Sequence, residues 1–234
     1  VEKQKTINII ECNKDFLELY DCLNDKLGEG GNAVVKECKD KTTNEIVAIK
    51  QLFVKNKEKK SRFQDEVLIM LDNFHQVDGI LPILKYSFDP HWWYAMPIAT
   101  PIIEHIENTN SKIEDIIKGC IQLCETLEFL HSKGVYHRDI KPENIYFLNG
   151  RYTFGDFGLV DYPDKSTNFT EKSYQIGAKF TRAPEMERQP DNADGKKADV
   201  YSLAKTLWML LTKDVFGFEG RYDFLDEKHS LTNF

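Results

Sequence analysis

The sequence predicts an α+β protein in two parts, an antiparallel sheet with one helix followed by a mainly helical half. Three observations carry this reading. Up to about residue 100, short runs rich in Val, Ile, Tyr and Trp alternate with Gly, Asp, Asn and Pro, the pattern of strands and turns. Within that stretch Phe63, Val67, Met70 and Leu71 stand at helical spacing. Further on, Ile113, Ile116, Ile117, Cys120, Cys124, Leu127 and Leu130 mark a long amphipathic helix, and residues 199–211 a second apolar one. The composition shifts near residues 99–103, which sets the expected boundary.

In chain order, residues 1–20 mix charged and apolar side chains and are expected to form an extension packing on the first part, which then runs over 21–96. Strands are expected over 21–27, 33–39 and 44–53. A glycine cluster separates the first two, and a Lys-Thr-Thr-Asn hairpin loop lies before the third. The charge run 55–60 reads as a solvated face. Two further strands are expected over 80–88 and 91–96, on either side of an Asp-Pro turn. Residues 97–99 form the connection and 100–234 the second part. There the long helix leads into short loops and strands over 134–160. Trp208, Met209, Leu210 and Leu211 suggest that the last helix is buried all round.

Composition narrows the function classes. With 41% apolar and 29% charged residues over 234 positions, the chain can bury a core without disulfides or metal. A net charge of −7 argues against nucleic-acid binding through the overall field. No apolar run approaches the roughly 18–20 residues of a membrane span, and no signal pattern opens the chain. The five cysteines, Cys12, Cys22, Cys38, Cys120 and Cys124, are odd in number and include no CxxC pair. They indicate neither a disulfide framework nor a zinc site, and a reducing, cytoplasmic compartment is expected. His75, His91, His105, His131 and His229 lack metal-ligand spacing and read as turn or surface residues.

Six motifs carry the chemistry. Gly28-Glu29-Gly30-Gly31-Asn32-Ala33-Val34-Val35 places glycines between two strands, where backbone N–H groups can approach phosphate oxygens. Alone it reads better as a plain hairpin turn. Val47-Ala48-Ile49-Lys50 puts a lysine on an apolar strand. Sixteen residues later Glu66 lies on or near the apolar face of the expected helix, where a carboxylate can hold the ammonium. Then follow His137-Arg138-Asp139-Ile140-Lys141-Pro142-Glu143-Asn144, Asp156-Phe157-Gly158, Ala183-Pro184-Glu185 and Asp199-Val200-Tyr201-Ser202-Leu203.

In this order and spacing, over about residues 21–220, the chain resembles the eukaryotic-type (Hanks-type) protein kinases. The resemblance implies a bilobal fold, ATP and Mg2+ as cofactors, and transfer of the γ-phosphoryl group to a protein hydroxyl. It implies that Gly28, Glu29, Gly30, Gly31 and Val35 cover the triphosphate and that Lys50, oriented by Glu66, contacts its α- and β-phosphates. Asp156 and Asn144 would hold metal. Asp139 would accept the substrate proton and Lys141 would steady the transferring group. Val35 and Ala48 would roof the adenine, Met96 would stand behind it, Pro97, Ile98 and Ala99 would form the hinge, and Tyr146 the floor. Met70, Leu84, His137 and Phe157 would stack, rooted on Asp199. The run Lys141-Pro142-Glu143-Asn144 resembles the Ser/Thr branch.

Arg138 implies activation by phosphorylation of the loop between Asp156 and Glu185, with Thr170, Ser173 and Tyr174 as candidates. Autophosphorylation through a transient homodimer would serve this. Departures from the family are Ala33 for the third glycine, Ala178 where a threonine is usual, Thr181 for a usual tyrosine, and only residues 216–234 beyond the last helix. The expectation is therefore a second lobe lacking its last helices. The competing readings are a pseudokinase scaffold, opposed by the presence of Lys50, Glu66, Asp139, Asn144 and Asp156, and a small-molecule phosphotransferase.

Overall fold

The computed structural model describes residues 10–29, 33–53, 56–74, 77–161, 179–188, 193–218 and 220–231. Its contacts divide the chain into two units, Val1–Ala99 and Thr100–Phe234.

The first unit contains β1 (Ile10–Glu11), α1 (Phe16–Leu19), β2 (Tyr20–Glu29), β3 (Ala33–Asp40), β4 (Ile46–Leu52), α2 (Lys57–Asn73), β5 (Lys85–Ser87) and β6 (Trp93–Pro97). The strands form one sheet in the order β1-β5-β6-β4-β3-β2, antiparallel except where β1 runs parallel to β5. The hairpin between β3 and β4 closes on Asp40, whose carboxylate accepts the amides of Thr42 and Thr43 at 2.7 and 3.0 Å. Such a side chain bonding its own turn is what favours Asp there. Strand alternation sends Val47 and Ile49 of β4 to one face, where they bury with Phe16, Tyr20, Cys38, Trp93 and Ala95. Ala48 and Lys50 leave from the other face. Helix α2 starts at Asn56, whose side chain accepts the Lys59 amide at 2.9 Å. It buries Phe63, Glu66, Val67 and Met70, one stripe at helical spacing.

Four details depart from the sequence-based expectation. The strand expected over 80–88 contracts to Lys85–Ser87. Ile80, Leu81 and Ile83 are buried, but Pro82 has no N–H to give a ladder, so the apolar run is core without being strand. The strand expected from residue 91 starts at Trp93 and reaches Pro97. Most of the charge run 55–60 is the first turn of α2, with Lys60 reaching Asp89 at 3.1 Å. The segment before residue 21 adds β1 and a second, four-residue helix. That helix is closed by a capping box on Asp15 and Glu18 and tied down where the Trp93 indole donates to the Lys14 carbonyl at 2.9 Å.

The second unit contains β7 (Thr100–Pro101), α3 (Ile102–Thr109), α4 (Ile113–Ser132), a 3-10 turn (Pro142–Asn144), β8 (Ile145–Leu148), β9 (Arg151–Phe154), α5 (Pro184–Arg188) and α6 (Gly195–Thr212). β7, β8 and β9 form a small antiparallel sheet in that order. Helix α4 lies against β9 so closely that a Cβ on Gly119 would fall 2.3 Å from the ring of Tyr152. Helix α6 is not buried all round: Ala198, Asp199, Ser202, Leu203, Lys205, Thr206, Trp208, Met209 and Leu210 are buried, while Lys196, Lys197, Val200 and Ala204 are exposed. No helix or strand occurs among the described residues past α6, yet this segment is not loose. The buried Lys205 ammonium donates to the carbonyls of Phe218 and Gly220 and stands 3.6 Å over the Phe218 ring. The Trp208 indole donates to the His229 carbonyl at 3.0 Å. His229, expected as a turn or surface residue, lies in a turn but is buried against Phe218. No helix of the described residues is long and apolar enough to cross a membrane.

Candidate active site

In the first unit the lysine and glutamate of the sequence motifs meet. Lys50 Nζ donates to both oxygens of Glu66, at 2.7 and 3.0 Å. β4 places the lysine and α2 the glutamate, and Glu66 is only 2% exposed. A carboxylate this desolvated is costly unless its lone pairs are filled. The Tyr94 hydroxyl fills one more, donating to Glu66 Oε1 at 2.8 Å. Val35 of β3 stands opposite Lys50 in register, and Ala48 opposite Met96 of β6. Gly28 pairs with Val35 and the backbone of Glu29 with Val34. Pro97 ends β6, and Ile98 and Ala99 follow it, Ile98 being exposed. Gly30 and Gly31 lie outside the described residues.

In the second unit the loop 137–144 hangs on one carboxylate. Asp199 of α6 is fully buried and accepts the backbone amides of His137 and Arg138, both at 2.8 Å. His131 adds a third contact, its Nε2 at 3.0 Å from the same carboxylate. Against the expectation of a surface residue, the His131 side chain is therefore buried at the root of the loop. Held this way, Arg138 adopts φ +65°, a left-handed conformation costly for a residue with a Cβ. Its guanidinium lies 3.1 Å from Asp161.

Asp139 follows, 9% exposed. Its Oδ2 accepts from Lys141 Nζ and from Asn144 Nδ2, each at 2.9 Å. Asn144 Nδ2 also donates to the Asp139 carbonyl at 2.8 Å, so the 3-10 turn and the loop are stitched together. His137 does not face solvent. Its Nδ1 accepts the Asp139 amide at 3.4 Å, which assigns the proton to Nε2, and Nε2 donates to the Gly155 carbonyl at 3.1 Å. Its ring lies 4.7 Å from that of Phe157.

The Gly155 amide in turn donates to the Asn144 carbonyl at 2.9 Å, setting the neighbouring Asp156 beside the loop. Asp156 is exposed and takes φ +57°, a second left-handed residue in the same place. Tyr146 sits on β8, paired with Thr153 and Pro101. Thr170, Ser173, Tyr174 and Ala178 lie outside the described residues.

Among the described residues no three His, Cys, Asp or Glu side chains cluster as a metal site. The oxygen donors nevertheless suit a hard cation. Asn144 directs its amide hydrogens to Asp139, and Asp156, next to the Gly155 amide bonded to the Asn144 carbonyl, is exposed. The sequence reading missed Tyr94, and alternation along β6 was the signal that could have found it. Residues 94 and 96 share a face, and Tyr94 lies opposite Lys50 in register, so alternation puts its side chain on the face of the lysine.

Comparison with known families agrees with this arrangement: the general description of the protein kinase domain matches residues 22–230. The chain belongs to the protein kinase family. Cyclin-dependent kinase-like 1 of Caenorhabditis elegans is 30% identical over 213 residues, 88% of this chain and 58% of that protein. Serine/threonine-protein kinase ste20 of Emericella nidulans is 32% identical over 193 residues, 81% of this chain and 22% of the relative. Serine/threonine-protein kinase PAK 1 of Mus musculus is 30% identical over 188 residues, 76% and 32% respectively. This kinase domain thus spans from a fifth to three fifths of the length of these relatives.

Proposed function

We propose that this kinase domain transfers the γ-phosphoryl group of ATP to serine or threonine hydroxyls of protein substrates. The observation that carries the reading is the convergence of Lys141 and Asn144 on Oδ2 of Asp139. That arrangement fixes a carboxylate in orientation and places a cation 2.9 Å from it. Phosphoryl transfer asks for such positioning and charge neutralisation more than for covalent help. Asp139 orients and deprotonates the acceptor hydroxyl, and Lys141 offsets charge on the transferring group. In the first unit Lys50, held by Glu66, binds the α- and β-phosphates. Gly28, Glu29, Gly30 and Gly31 cover them. Val35, Ala48, Met96, Pro97, Ile98, Ala99 and Tyr146 receive the adenine. Asp156 and Asn144 hold Mg2+, which when bound neutralises phosphate oxygens.

Serine/threonine specificity is supported by Lys141 in its motif and by the names of the ste20 and PAK relatives. The five free thiols fit a reducing, cytoplasmic setting. Activation follows autophosphorylation on Thr170, Ser173 or Tyr174 within a transient homodimer.

The test is a radiolabelled-ATP assay with Mg2+, comparing the native chain with Asp139→Asn on a generic acceptor protein and on the kinase itself. Label lost in the variant, and recovered as phosphoserine or phosphothreonine after acid hydrolysis, supports the proposal. A folded native chain that binds ATP and transfers none would make it a scaffold. Recovery of phosphotyrosine alone would overturn the specificity.

A further inference from the structure

We propose that Tyr94 is a positioning residue for the Lys50–Glu66 pair and so for nucleotide binding, a role that rests on the kinase reading above. Tyr94 stands directly opposite Lys50 on the neighbouring strand β6, so both side chains leave the same face of the sheet. The ring is buried, 3% exposed, and touches α2 twice. Its ring packs at a tilt on that of Phe63, with a centroid distance of 5.4 Å, and its hydroxyl donates to Glu66 Oε1 at 2.8 Å. Phe63 and Glu66 are three residues apart and share one helix face. The ring therefore docks the helix while the hydroxyl selects where the carboxylate points. The Lys50 ammonium completes the group, 5.5 Å from the Tyr94 centroid.

The chemistry separates the two contributions. A phenol donating to a buried carboxylate makes a charge-assisted bond, and that bond disappears without loss of volume in Tyr94→Phe. Ring packing on Phe63 survives the change, so the helix stays docked. Glu66 then loses the phenol bond, and the bidentate hold on Lys50 loosens. A lysine less well held presents its ammonium to phosphate less often, which weakens nucleotide binding and leaves acceptor binding alone.

The test uses the whole chain and two readouts. Calorimetric affinity for MgATP is measured for native protein, Tyr94→Phe, Glu66→Gln and the double variant, and amide exchange along residues 57–73 is followed without nucleotide. Tyr94→Phe is expected to weaken MgATP about three- to tenfold. It raises the KM for ATP and not that for the acceptor, and speeds exchange in α2 around Glu66. In the double variant the phenylalanine costs less than in the native background, because a glutamine oxygen accepts from the phenol only without charge assistance. Equal affinity of Tyr94→Phe and native protein, or losses that simply add in the double variant, would overturn this proposal while leaving the kinase reading standing. A native chain that takes up no MgATP overturns the kinase reading and this role with it.

Discussion

The Asp199 carboxylate accepts the backbone N–H of His137 at 2.8 Å, although 62 residues separate the two. The amide of Arg138 and the ring of His131 complete its coordination. Removing it strips two buried amides of their acceptor just where Arg138 sits at φ +65°. Asp199→Ala is therefore expected to cost about 3–5 kcal/mol of unfolding free energy. Asp199→Asn should lose nearly as much, because one oxygen becomes an NH2 facing N–H donors. Urea denaturation decides it, and a loss below about 1 kcal/mol would show that the loop stands without this anchor.

A second prediction reverses a usual sign. Replacing glycine by alanine inside a helix ordinarily stabilises by up to about 1 kcal/mol. At Gly119 the new methyl would lie 2.3–2.5 Å from three atoms of the buried Tyr152 ring, so Gly119→Ala should destabilise by about 1–3 kcal/mol. Among the described residues the buried Tyr152 hydroxyl has no hydrogen-bond partner. Tyr152→Phe is accordingly expected to be neutral or mildly stabilising. The pair Gly119→Ala with Tyr152→Leu should recover part of the loss. Thermal denaturation of the four proteins checks all three statements.

What the sequence made legible was local. Lys50 and Glu66 could be brought together on paper because two periodicities suffice. Strand alternation puts Lys50 on the face of Ala48, and helical spacing puts Glu66 beside Phe63, Val67 and Met70. The contacts around Asp139 lie within six residues of one another, inside one motif. His131 was illegible for the opposite reason: its partner is 68 residues away, and nothing in its neighbours signals a buried acceptor. Tyr94 was hidden in a Trp-Trp-Tyr run that reads as packing, and only the sheet register reveals its hydroxyl facing α2. The strand over 80–88 was overdrawn because apolarity reports burial, whereas Pro82 decides pairing.

Alkaline pH should unfold the protein through groups whose neutral forms are buried. Burial, reinforced by the sulfur of Cys22, pushes the Cys38 thiol from 9.0 up to about 12. Burial likewise raises Cys120 to about 12, and raises Tyr152 from 10.0 to about 12. In the unfolded chain the thiols ionise near 9, so above that pH the unfolded state binds fewer protons than the folded one. Their contribution to stability is complete below pH 9 and fades between 9 and 12. The expected outcome is a melting temperature that falls steadily over that window, and falls less in a Cys38→Ala, Cys120→Ala variant compared with its own neutral-pH value. A curve of identical slope in the variant would remove the thiols from the account.

The last prediction concerns how Lys141 acts on Asp139. If the lysine served only to orient the carboxylate, its loss would be modest, because Asn144 donates to the same Oδ2 at the same 2.9 Å. If it offsets charge developing on the transferring phosphoryl group, nothing in Asn144 can replace it, since an amide carries no net charge. The side chain is partly open, 26% exposed, enough for its ammonium to meet a substrate as well as Asp139. Lys141→Met should then lower kcat about 10²–10³-fold with the KM for ATP little changed. Lys141→Arg, which keeps the charge, should recover much of the rate. Steady-state kinetics on a protein acceptor distinguish the cases: a kcat within about threefold of native in Lys141→Met would leave orientation, shared with Asn144, as the whole of its role.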